Sequence, residues 1–125
     1  MTKYRKSLGK FGEDLVRKHL KKSGCRILEQ NYQIKMGEID LIVEDARTVV
    51  FVEVKTRTSS AYGSPFDAVT PLKQRQMSKV ALEYLGRNHL HDRPARFDVA
   101  SVQVEDGSPP KLEIIQNAFE LCYGI

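Results

Sequence analysis

Apolar residues recur at helical spacing near the start of the chain and in alternation through much of the rest. Over residues 6–23, Leu8, Phe11, Leu15 and His19 fall at i, i+3, i+7 and i+11, with lysines opposite and Ser23-Gly24 as a stop. A second row, Gly9, Glu13, Val16 and Leu20, runs beside the first and puts Glu13 on the inner half of this helix. Gly9 and Gly12 each cost a helix roughly 1 kcal/mol relative to alanine, which points to a close neighbour. Three strands are expected next: 26–34, then 38–44 after a turn or bulge at Lys35-Met36-Gly37, then 48–56 after Asp45-Ala46-Arg47. The stretch 57–64 reads as a flexible loop. Ser64-Pro65 and Thr70-Pro71 each join an N-cap residue to a proline at N1. The first predicts a short helical turn. The second predicts a helix over about 71–89 with Met77, Val80, Ala81, Tyr84 and Leu85 as its apolar face. Strands at 96–104 and 111–116 follow, separated by a turn at Gly107-Ser108-Pro109-Pro110.

The order α-β-β-β-α-β-β predicts an α/β protein with a central mixed β-sheet flanked by α-helices. Its first three strands form an antiparallel meander, and the helical crossover lets the fourth strand pair in parallel. A chain of 125 residues corresponds to one domain, 1–125. No apolar run approaches the 18 or so residues of a membrane span, and none follows the basic start as in a signal peptide. The expectation is a cytoplasmic protein without a membrane partner. Cys25 and Cys122 lie far apart and outside any CxxC pair, so two reduced thiols are expected. His89-x-His91 has no cysteine nearby to complete a zinc set and reads as a polar helix end.

Charge adds a partner to this outline. A net charge of +4 and a pI near 9.1 give a mild pull toward polyanions. Basic residues gather at 3–22, at Lys73, Arg75 and Lys79, and at Arg93 and Arg96, whereas residues 37–45 are acidic. A basic surface around a small acidic focus suits a metal site that handles phosphates.

The third strand sharpens that focus. Side chains alternate across a strand, so Val50, Val52 and Val54 share one face and Val49, Phe51, Glu53 and Lys55 the other. The first half is apolar on both faces; then one face switches to a carboxylate and an ammonium. In the preceding strand Glu38, Asp40 and Ile42 share a face opposite Ile39, Leu41 and Val43. Pairing the two strands by their apolar faces brings Asp40 to Glu53. Two carboxylates roughly 4 Å apart repel by about 4 kcal/mol at an effective dielectric near 20. A divalent cation removes the conflict, and oxygen ligands suit Mg²⁺ or Mn²⁺. Lys55 is then placed to orient or deprotonate a water beside the metal. A lone E-x-K also describes an ion pair on an exposed sheet face; Asp40 and Glu13 are what favour chemistry.

The segments Gly12-Glu13-Asp14, Gly37-Glu38-Ile39-Asp40-Leu41-Ile42 and Val52-Glu53-Val54-Lys55-Thr56-Arg57 resemble the YraN family of bacterial proteins. That family belongs to the restriction-endonuclease-like, PD-(D/E)xK superfamily, near the archaeal Holliday junction resolvases. The likeness continues through Gly63-Ser64-Pro65, Ala68-Val69-Thr70-Pro71 with Lys73, Arg96-Phe97-Asp98-Val99 and Asn117-Ala118-Phe119, nearly the whole chain. It implies a restriction-endonuclease-like fold and hydrolysis of a nucleic-acid phosphodiester. By position, Asp40 and Glu53 match the metal-binding acids, Lys55 the catalytic lysine and Val54 a backbone carbonyl ligand. Glu13 matches the first-helix acid of some members. Ile39 stands where the proline that names the motif would be. Arg57, Lys73 and Arg96 are the candidate phosphate contacts, although Asp98 offers Arg96 a structural partner instead.

The expected activity is therefore a Mg²⁺- or Mn²⁺-dependent endonuclease. Its expected partner is nucleic acid, DNA ahead of RNA, with branched or otherwise unusual DNA among the substrates. A nucleic-acid-binding protein that keeps the fold and cleaves slowly or not at all is the rival. Resolvase relatives act as dimers, so a homodimer is among the assemblies the resemblance implies, although the sequence carries no dimer signature.

Overall fold

A computed structural model describes residues 3–58, 67 and 69–122. Helix α1 (Lys3–Lys22) leads into strands β1 (Arg26–Ile34), β2 (Gly37–Asp45) and β3 (Thr48–Arg57). Helix α2 (Pro71–Arg87) then crosses over to β4 (Ala95–Gln103) and β5 (Lys111–Phe119). The five strands form one mixed sheet in the order β1-β2-β3-β4-β5; every neighbouring pair is antiparallel except β3 and β4. No helix among the described residues is long and apolar enough to cross a membrane.

The sheet is covered on both faces, as the apolar start of β3 requires. Leu41, Val43, Val50, Val52, Ala100 and Val102 pack with Val16 of α1 on one side. Ile42, Val49, Phe51, Phe97 and Val99 pack with Met77, Val80, Ala81, Tyr84 and Leu85 of α2 on the other. Alternation along β3 is kept. Along β2 it breaks at Asp40, because Ile39 joins Ile42 on the α2 side instead of Leu41 and Val43. Opposite Asp40, between the registered pairs Gln30↔Leu41 and Tyr32↔Ile39, Asn31 has a positive φ of 50°. Asparagine is among the few residues that adopt this conformation readily.

Helix α1 rests on Val16 with Leu15 and Leu20 packed beside it, so of its first apolar row Leu15 meets the core while Phe11 and His19 do not. Phe11 is 44% exposed and His19 is exposed, while Val16 is fully buried. The reason is Gly12: it lies so close to β3 that an added Cβ would overlap the Thr56 hydroxyl. That hydroxyl is buried with no hydrogen-bond partner among the described residues. Gly9, expected to share this role, has nothing within 4 Å of its missing Cβ among the described residues. The helix ends at Gly24 (φ 96°), with the Cys25 N–H reaching back to the Leu20 carbonyl at 2.9 Å.

Helix α2 starts where Thr70-Pro71 predicts it. The Thr70 hydroxyl accepts the Lys73 N–H at 3.2 Å. It closes at Arg87, two residues early, where the Asn88 amide side chain caps the Tyr84 carbonyl. Strand β5 runs past its expected end at 116. Asn117 (φ 52°) forms an irregularity whose N–H is accepted by the Asp98 carboxylate at 3.0 Å, and pairing resumes at Phe97↔Phe119. Most of the expected 57–64 loop, the Ser64-Pro65 turn and Ala68 lie outside the described residues.

Candidate active site

The β2–β3 ladder ends at Leu41↔Val52. The next residues, Asp40 and Glu53, begin a fork between the two strands. Asp40 Oδ2 accepts the N–H of Val54 at 2.8 Å, so a side chain replaces the missing backbone acceptor. The N–H and C=O of a strand residue point to the same side, so the Val54 carbonyl also opens into the fork.

Glu53 reaches the fork from the α2 face and is only 5% exposed. Its pKa is pushed from 4.5 up to about 7, by burial first and then by the Asp40 charge. A hydrogen bond to Asp40 acts the same way, and Lys73 and Lys55 oppose it. Lys73, in the first turn of α2, places Nζ 3.5 Å from Glu53 Oε2. Glu13 approaches from α1. Its pKa is raised by burial and then by Asp40, against a hydrogen bond from the Asn31 side chain. Both carboxylic acids thus respond to Asp40, one from each face of the sheet.

The donor set is all oxygen: Asp40, Glu53 and the Val54 carbonyl, with Glu13 behind. Such a set fits a hard divalent cation. Among the described residues, however, no three His, Cys, Asp or Glu side chains are close enough to form a ready-made metal cage. Two carboxylates and a carbonyl are the core of the site, and Glu13 lies outside it.

The fork therefore gathers Asp40, Glu53 and Val54, with Lys55 close enough for its charge to act on Glu53. Lys73, expected on phosphate, is engaged with Glu53 instead. Arg57 closes β3, two residues past Lys55, where its carbonyl accepts the Val104 N–H at 2.7 Å. Arg96 stands apart, which corrects its expected place among the phosphate contacts. It pairs in register with Val50, toward the other end of β3. Its Nε donates to both Asp98 oxygens at 3.0 and 3.3 Å, and an Nη donates to Asp45 at 3.2 Å. It lines a cavity of about 600 Å³ beneath the end of α1, together with His19, Cys25 and Gln116.

Two contributors were not singled out for their observed roles. Asn31 is signalled only by a polar run, Glu29-Gln30-Asn31, that interrupts β1. The pairing of Lys73 with Glu53 follows from its place three residues after the N-cap, but only once the position of α2 is known.

Residues 12–102 match the family described as uncharacterised protein family UPF0102. The chain belongs to that family. It is 51% identical over 120 residues to a UPF0102 protein of Pelobacter propionicus, covering 94% of this chain and 86% of that protein. It is 50% identical over 123 residues to one of Geobacter metallireducens, covering 98% and 100%. Among solved structures it is similar to Pyrococcus furiosus SfsA in complex with Ca²⁺, at 15% identity and a TM-score of 0.41. That likeness spans 90% of this chain and 62% of SfsA, and is too distant to carry an argument. The matched UPF0102 span includes Glu13, Asp40, Glu53, Lys55 and Lys73, so the whole fork lies within the family's shared region.

Proposed function

We propose that this UPF0102 protein is a metal-dependent endonuclease that hydrolyses DNA phosphodiesters, branched or otherwise unusual structures included, on a restriction-endonuclease-like fold. The observation that carries the reading is the fork itself, where a buried Glu53 faces Asp40 and both burial and the Asp40 charge work against its ionised form. Burying a carboxylate beside a second one is unfavourable for a mere scaffold, and a divalent cation relieves it. Asp40, Glu53 and the Val54 carbonyl would hold Mg²⁺ or Mn²⁺, with Glu13 drawing closer from α1. The bound cation supplies charge neutralisation at the phosphate oxygens and a more acidic water. Lys55 would orient the attacking water, whose oxygen bonds to phosphorus as the bond to the leaving oxygen breaks and that oxygen takes up a proton.

The rival reading, a nucleic-acid-binding protein with little or no cleavage, is favoured by one observation. Lys73 already gives Glu53 a counter-charge at 3.5 Å without any metal. Calorimetry separates the two. Mn²⁺ should bind the wild type and lose most of its affinity in Asp40→Asn and Glu53→Gln. The wild type should also cut at least one of a set of labelled linear, flapped and four-way-junction DNAs. Absence of Mn²⁺ binding and of cleavage would leave the rival.

A further inference from the structure

The positive charge of this protein is segregated. Helix α1 holds eight of the chain's 20 Lys and Arg and two of its 16 Asp and Glu, so α1 carries +6 and all other residues together −2. Outside α1, several cations are spent internally: Lys73 on Glu53, Arg87 on Glu83, Arg93 on Glu44, and Arg96 on Asp45 and Asp98. Lys6 and Lys10 make no ion pair among the described residues and are exposed. Arg17 has only a 4.0 Å contact with Asp14, the weakest kind of pairing.

These three cations fall at i, i+4 and i+11, and the i+7 position of the same row is Glu13. The row thus brackets the acid that the Asp40 charge acts on. At 1.5 Å per residue, Lys6 to Arg17 spans roughly 16 Å, close to five phosphate steps at the 3.4 Å per-strand charge spacing of duplex DNA.

We infer that the Lys6–Lys10–Arg17 flank of α1 is the surface on which a nucleic-acid backbone docks, holding a phosphodiester against the Asp40–Glu53 fork. This rests on the nuclease reading for what the fork does, though not for the binding itself. The flank positions the strand through phosphates and reads no bases. It also lies away from Arg96, whose guanidinium pairs with Asp98 and Asp45 toward the far end of β3.

The test is duplex binding in Ca²⁺ across a salt series. Alanine suits helix interiors, so the Lys6→Ala/Lys10→Ala/Arg17→Ala variant should fold, checked by circular dichroism. Its affinity should drop about tenfold or more at low salt, and the slope of log affinity on log salt should flatten by about 2.7. Lys18→Ala/Lys21→Ala/Lys22→Ala removes the same charge further along α1 and should flatten the slope by less than half as much. Equal effects from the two triples would overturn the assignment, because net charge alone would then explain binding. Tight binding to phosphatidylserine vesicles with none to duplex would also overturn it. If the wild type binds Mn²⁺ and cleaves while the first triple keeps its slope, this inference fails and the nuclease reading stands. If duplex binding responds as expected while Mn²⁺ never binds, the nuclease reading fails and the docking row stands.

Discussion

Two buried carboxylates on adjacent central strands, Asp98 of β4 and Glu53 of β3, have opposite surroundings. Asp98 is 3% exposed and accepts from Arg96 Nε and from the Asn117 N–H. Glu53 is 5% exposed, with one ammonium at 3.5 Å and a second carboxylate beside it. Burial is the same; donor supply differs. Where donors match lone pairs, the acid pins strands together. Where a second acid stands in place of an arginine, the shortage itself marks the place for a cation.

The largest expected effect tests whether this contrast is one of chemistry. Lys55→Ala should lower cleavage by about 10²–10⁴-fold with little change in DNA affinity. Arg96→Ala should leave turnover per folded molecule intact and cost about 3 kcal/mol of stability in urea unfolding, because Asp98 is left buried without its cation. Swapped outcomes would invert the comparison.

A subtler difference lies in pH dependence. Glu53 titrates near pH 7 when folded and near 4.5 when unfolded, so between those values the folded state holds the extra proton. Without metal, stability should therefore fall as pH rises from about 4.5 through 7 and level off above. The change is about 3 kcal/mol at most, given 1.36 kcal/mol per unit. Thermal melts in EDTA should show this decline, and Glu53→Gln should flatten it. An unchanged decline in that variant would place the titration elsewhere.

The smallest expected effect concerns Lys73. If its ammonium and a metal compete for Glu53, Lys73→Met should bind Mn²⁺ about fivefold tighter, the equivalent of the roughly 1 kcal/mol of a partly exposed pair. Weaker binding would make Lys73 a supporting part of the metal site.

Much of this was legible in the sequence because it depends on period. Alternation in β3 located Glu53 and Lys55 on the face that they occupy, and Thr70-Pro71 fixed the start of α2. What could not be read depends on approach. Helix phase alone gave α1 two candidate faces, and only the contact of Gly12 with Thr56 selects between them. Strict alternation also fails at Asp40, where the side chain bonds into the strand gap. Arg96 could be either a phosphate contact or a structural partner, and the position of Asp45 across the sheet decided for structure.

The fork is local in the chain. Asp40 and Glu53 are 13 residues apart across a single hairpin, and Glu13 and Asn31 also precede β4. The Val50–Arg96 neighbours are 46 residues apart. Closing the longer loop costs roughly 1 kcal/mol more in chain entropy, and a parallel pair must await its crossover helix. The cheaper closure favours bringing the two acids face to face before α2 delivers Lys73. A divalent ion in the refolding buffer would then meet the acids ahead of the Lys73 ammonium that pairs with Glu53 at 3.5 Å, and would act on the rate of folding as well as on its end point.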